Sequence, residues 1–177
     1  MKKLFILSLI SACLLTVFSV SAQTMGAKPK APRPSLPDTV KETTKKGVTI
    51  EVDYSQPGVK GRTVGKEIAP FDGKVWRTGA NEETTISFSK DVTLEGQKLA
   101  AGKYSLWSVP GPTEWVIIIN KHTTDWGTVY DQANDVFRVT VKTQKAPEFV
   151  EKLKFAIDKS GKVSFSWGDY LVAFNVK

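Results

Sequence analysis

From residue 48 onward the chain is written in period two, the pattern of strands that bury one face and leave the other in water. Val48, Ile50, Val52 and Tyr54 alternate with Thr49, Glu51 and Asp53. Ile86 and Phe88 alternate with Thr85, Ser87 and Ser89, and Phe137, Val139 and Val141 with Arg138, Thr140 and Lys142. Val163, Phe165 and Trp167 repeat the pattern, and Val172, Phe174 and Val176 end it. Trp115–Ile119 is apolar without interruption, which predicts a central strand covered on both faces. Glu95-Gly96, Ala101-Gly102, Pro110-Gly111-Pro112, Ser160-Gly161 and Gly168-Asp169 supply turn chemistry between these runs. Asp158–Gly161 reads as the turn of a hairpin. Residues 147–157 fit two elements. Phe149, Leu153, Phe155 and Ile157 would share a strand face that Glu151 interrupts, whereas Pro147 could open a short helix. The hairpin downstream decides for a strand. About nine short strands without a long helix predict an all-β fold, an antiparallel β-sandwich. No period of the kind that builds propellers or solenoids is present.

The N-terminal fifth reads differently. Lys2 and Lys3 precede an apolar run, Leu4 to Val20, that ends in Val20-Ser21-Ala22, the anatomy of a cleaved signal peptide over residues 1–22. The predicted location is therefore exported, periplasmic or secreted, with no transmembrane span after cleavage. Ile10-Ser11-Ala12-Cys13 offers a rival lipobox that would anchor the chain through Cys13. It leaves only a short apolar stretch ahead of the cysteine, so the soluble exported form is preferred. Residues 23–37 carry Pro29, Pro32, Pro34 and Pro37 and read as a basic, proline-rich linker. Residues 38–177 then form one domain.

Charge and composition narrow the chemistry. The formal net charge is +7, but from Asp38 onward 20 basic residues face 18 acidic ones. The excess belongs to leader and linker, which argues against nucleic acid as a partner. Cys13 is the only cysteine and His122 the only histidine, so disulfides, thiolate catalysis and multi-histidine metal sites are excluded from the domain. No cofactor is expected.

Polar residues concentrate in Trp76-Arg77-Thr78-Gly79-Ala80-Asn81-Glu82-Glu83-Thr84. Arg77 brings a planar donor fork suited to a carboxylate, a phosphate or sugar hydroxyls, and Asn81 and Glu82 add an amide and a carboxylate. The structural counter-reading has Gly79 supplying a positive φ, Asn81 capping the turn and Arg77 pairing with Glu82 or Glu83. Asn120–Gly127 holds His122 and Asp125, a possible base and its orienter, and Trp126, which could stack on a sugar or close the end of the core. Glu82, Glu83, Asp125, Asp131 and Asp135 are the carboxylates available for glycoside hydrolysis. Asp131–Asp135 lacks the glycine and terminal glutamate of a calcium loop.

Tyr54-Ser55-Gln56-Pro57, Gly61-Arg62, Val75–Glu82, Leu99–Leu106, Glu114-Trp115 and Asp135-Val136-Phe137-Arg138 occur in an order that resembles an exported bacterial family, domain of unknown function 2911. The chain departs from that pattern at Gln56, where a basic residue is expected, and at Ala100, where proline is. The resemblance implies an exported all-β domain and no particular reaction. It marks Arg62, Arg77, Asn81, Glu82, Asp135 and Arg138 as shared polar positions.

Three readings follow. The first is a non-catalytic exported domain that binds a small ligand or glycan at the Arg77–Glu82 loop, with Arg62, Asp135, Arg138 and Trp126 contributing. The second is a hydrolase using Glu82 with Asp125, His122 or Asp135. The third is a structural or assembly module of the cell envelope.

Overall fold

The alternating runs become strands that pair with their neighbours in sequence. A computed structural model of the chain describes residues 33–123, 127 and 129–177. Nine strands are present among them: β1 (Leu36–Thr43), β2 (Thr49–Gln56), β3 (Thr85–Phe88), β4 (Val92–Leu94), β5 (Gln97–Leu99), β6 (Gly102–Val109), β7 (Glu114–Asn120), β8 (Asp135–Ile157) and β9 (Lys162–Asn175). One 3₁₀ turn, Gln132–Asn134, precedes β8. Seven strands form a single curled sheet in the order β1-β2-β3-β6-β7-β8-β9, and β4 and β5 form a small second sheet. Every strand pair is antiparallel. The reading of residues 147–157 as strand holds, since they complete the 23 residues of β8.

That long strand makes the fold two-layered. Asp135–Lys142 pairs with β7, whereas Thr143–Ile157 pairs with β9, with register shifts between Lys145 and Val150 and between Val150 and Lys154. Bulges of this kind bend a strand and increase its twist. Where β8 has turned away, its free edge meets the chain leaving β2. Val59 N–H donates to Glu151 O at 2.8 Å, and Leu153 N–H donates to Pro57 O at 3.0 Å. At the opposite end, Thr93 of β4 exchanges two backbone hydrogen bonds with Lys177, extending the layer that contains β9.

The inward faces supply the core. Ile50 and Val52 of β2, Ile86 of β3 and Leu106 of β6 are fully buried. So are Ile117 and Ile119 of β7, Leu153 of β8, and Val163, Val172 and Phe174 of β9. Burying each such side chain is worth about 1.5–3 kcal/mol, which outweighs the modest β-propensity differences among them. Ile118, on the opposite face of β7, is also fully buried, so the uninterrupted apolar run does mark a strand covered on both sides. Phe137 and Val139 are only partly buried, and Val141 completes the burial of β8's first half. β1 is a strand that alternation did not announce. Its side chains are mostly exposed, so it carries almost no apolar signal and is held by its pairing with β2.

Tyr54 ties the curl shut. Its ring meets Phe155 edge-on at 4.7 Å. Its hydroxyl donates to Asp38 of β1 at 2.7 Å and accepts from Phe155 N–H of β8 at 3.2 Å. Burial, the largest influence, acts with Asp38 against the pull of the Phe155 N–H and pushes the phenol up from 10.0 to about 12. A raised folded value means the contribution is complete below pH 10 and is lost as pH rises through about 12. Tyr54→Phe should therefore be less stable than the wild type at pH 9, and the gap between their urea midpoints should shrink by pH 11.5. An unchanged gap would refute this role for the hydroxyl.

Candidate functional site

Residues 57–84, between β2 and β3, contain no regular strand, yet a connection of this length inside a compact domain is usually functional. It is fixed to the core by Trp76. The indole stacks on Trp167 of β9 at 5.7 Å and 12°, and meets Trp115 of β7 edge-on at 6.2 Å. Its backbone exchanges two hydrogen bonds with Ser108 of β6, each 2.8 Å. Buried hydroxyls secure the residues that follow. Thr78 Oγ1 and Ser108 Oγ lie 2.9 Å apart, and Thr84 Oγ1 donates to Thr78 O at 3.0 Å.

The conformation of this loop differs from the simple turn reading in one respect. Within residues 76–84 the left-handed residues are Thr78, with φ of 52°, and Asn81, with φ of 59°. Gly79 is needed for space instead, because a Cβ there would lie 2.6 Å from Thr84 Oγ1. Holding a β-branched residue such as Thr78 in the left-handed region costs of order 1–3 kcal/mol, and such strain is tolerated where surrounding contacts over-determine it.

With Trp76 pinned inward, Arg77 borders a cavity of about 470 Å³. Its Nη1 donates to Gly127 O at 2.9 Å. Gly127 must lack a side chain, since a Cβ would fall against Arg77 Cδ and 2.9 Å from the Glu83 nitrogen. Arg77 Nε is buried without an acceptor, and no ion pair involves Arg77 among the described residues. Burial alone lowers its pKa from the ordinary value. The counter-reading, in which Arg77 pairs with Glu82 or Glu83, has no such ion pair among the described residues.

Aromatic walls and a second arginine complete the cavity. Trp76, Trp107, Trp167 and Tyr130 line it together with Arg62. The polar tips of two of these rings are already committed. Trp107 Nε1 donates to Ser105 Oγ at 3.0 Å. The Tyr130 hydroxyl lies 2.8 Å from Asp135 Oδ2 and accepts from Arg138 Nη2 at 2.6 Å. Burial, then Asp135, pushes this phenol up to about 12, so it stays protonated. Arg62 donates to the carbonyls of Val59 and Gly58, at 3.1 and 3.0 Å, and its charge helps lower the pKa of Glu67, although hydrogen bonds from Thr63 dominate that shift.

The residues singled out from sequence therefore divide. Arg77 and Arg62 border the cavity. Asn81 and Glu82 face the start of β1 instead: Asn81 Nδ2 donates to Ser35 O at 2.9 Å, and Glu82 pairs with Arg33. Asp135 and Arg138 sit behind Tyr130, joined to each other at 2.8 Å, and Asn120 also donates to Asp135. His122 is exposed, and Asp131 caps the 3₁₀ turn by accepting from Ala133 N–H. Trp126 and Asp125 lie outside the described residues. Tyr130 is the wall residue that sequence reasoning missed; it stands in no alternating run and no motif. Among the described residues no group of three or more His, Cys, Asp or Glu side chains is placed to hold a metal ion.

A family model described as a protein of unknown function, DUF2911, matches residues 35–176. No curated protein and no solved structure matches the chain.

Trp76→Ala should cost about 3–5 kcal/mol, the range for emptying a large aromatic site in a core. Arg77→Gln breaks no ion pair and should change stability by no more than about 1 kcal/mol. Urea unfolding of both variants checks the contrast. A loss at Arg77 as large as that at Trp76 would mean the guanidinium is a structural member of the core.

Proposed function

The chain belongs to the DUF2911 family, and from that premise we propose that it is an exported, non-catalytic domain that binds a small ligand in the cavity beside Arg77. The observation that carries this reading is the state of Arg77 itself. It is half removed from water, its only hydrogen-bond partner among the described residues is a backbone carbonyl, and it borders open space. Desolvating a cation without a counter-ion is unfavourable. A fold stabilised for its own sake would place a carboxylate there, as it does between Arg138 and Asp135. The cavity is also within the size range of small-molecule sites, and its walls combine aromatic rings with two arginines.

Catalysis by paired carboxylates has less support. No aspartate, glutamate, histidine or serine lines this cavity among the described residues. Glu82 is paired with Arg33, and Asp135 is held by Tyr130, Asn120 and Arg138. Export rests on the leader anatomy of residues 1–22.

A thermal-shift screen of the protein against sugars, glycan fragments, phosphates, carboxylates and divalent metals tests the reading. A ligand present at 100 times its Kd stabilises by about 2.7 kcal/mol, which is several degrees for a domain of this size. The expected result is a hit that Arg77→Gln abolishes while leaving the unliganded melting temperature near that of the wild type. A hit that survives in Arg77→Gln would move binding elsewhere on the surface.

A further inference from the structure

We propose that the ligand of the Arg77 cavity is a small carboxylic acid with an apolar ring or chain as its body, bound with its carboxylate on Arg77. The inference rests on the binding role assigned to this cavity and adds the chemical class. It is drawn from what the walls can and cannot offer.

Among the described residues, every lining side chain able to form a hydrogen bond is a donor by nature, apart from the Tyr130 hydroxyl. Arginine and the tryptophan indole have no acceptor at all. The Tyr130 hydroxyl is engaged on both sides by Asp135 and Arg138. Two donors of lining residues, Arg77 Nε and Trp167 Nε1, are buried without any acceptor. Arg77 Nη2 also makes no hydrogen bond among the described residues, and it is not one of the buried unpartnered atoms, so it remains accessible. A wall made of donors selects a ligand that brings acceptors.

Charge then fixes how many. Arg62 is exposed, where water already screens its charge. Arg77 is half-buried and has no ion-pair partner among the described residues. One unbalanced guanidinium is neutralised by one negative charge, so the site suits a carboxylate better than a phosphate dianion, and the planar fork matches carboxylate geometry. The described side chains of the rest of the cavity favour an apolar body over a sugar. Sugar hydroxyls need acceptors as well as donors, whereas Ile68, Val75 and the rings of Trp107 and Tyr130 give apolar surface with their polar tips turned to other partners.

Isothermal titration of the protein with benzoate, phenylacetate and cyclohexanecarboxylate tests the class. Acetate supplies the charge without the body, and benzamide and benzyl alcohol supply the body without the charge. Glucuronate, phenyl phosphate and N-acetylphenylalanine represent the competing chemistries. The expected result is saturable binding of at least one of the three ring acids, weakened tenfold or more in benzamide and in acetate. Arg77→Gln should weaken it equally. Ala80→Leu, which narrows the cavity from its rim, should weaken benzoate and benzamide alike, and it keeps the test alive if Arg77→Gln folds poorly.

Benzamide binding as tightly as benzoate would overturn the carboxylate assignment. Preference for glucuronate or a neutral sugar, lost in Arg77→Gln, would overturn the class while leaving the cavity as the binding site. Tighter binding of N-acetylphenylalanine would assign the cavity to a peptide C-terminus and overturn the small-acid reading. Silence from every acid, set beside a hit elsewhere in the wider ligand screen, would also overturn the class without touching the binding role.

Discussion

One indole allows a long irregular connection to behave as part of the core. Residues 57–84 carry many backbone groups and no ladder of their own, and such a segment would ordinarily remain on the surface and mobile. Trp76 reverses this by lodging between Trp115 and Trp167, while its peptide groups pair with Ser108. Both costs of ordering the segment, the unpaired backbone and the lost entropy, are offset at the same residue. With Trp76 fixed, the direction of its neighbour follows, and Arg77 is left against Gly127 at the edge of the cavity.

The same loop divides its polar residues between two tasks. Asn81 and Glu82 reach back to Ser35 and Arg33 and hold the start of β1 against the loop. Arg77, four residues before Asn81, takes no share in that fastening. Behind the cavity, Asp135, Arg138, Asn120 and Tyr130 form a closed set in which each polar group has a partner. Its effect on the cavity is mechanical. It fixes the Tyr130 ring as a wall and takes the hydroxyl out of play. Satisfied networks of this kind specify one arrangement, and a ligand meeting them needs little reorganisation.

How much of this was legible follows from where the signal lay. Strands with one buried face wrote themselves in period two, so β2, β3 and β9 are evident from Ile50, Ile86 and Phe165 and their neighbours, while β7 is evident from its unbroken apolar run. β1 was silent, because an edge strand buries little and is held by backbone pairing, to which side-chain alternation is blind. The bend in β8 was silent too, apart from Glu151, whose place on an otherwise apolar face marks the point where the strand pairs with the chain leaving β2. At the site, sequence placed Arg77 in a dense polar motif but could not show whether a nearby carboxylate would pair with it. Glu82 goes instead to Arg33, forty-nine positions away. Tyr130 was out of reach because its role exists only through the partners that the fold brings to it.

The seam between residues 57–60 and 151–153 has a kinetic consequence. Most strand pairings join strands adjacent in sequence, and hairpins of that kind form early and locally. The seam joins positions as far apart as Lys60 and Glu151, 91 residues. Closing a span of this length has a high entropic cost and few contacts to reward it in advance, and the Tyr54–Phe155 contact nearby spans still more, 101 residues. Contacts of this range therefore belong to the late part of folding. Because the connection that carries Trp76 and Arg77 begins at this seam, the cavity takes shape only as these long-range contacts close. A chain that has formed all its hairpins but not these contacts would hold native secondary structure and no site.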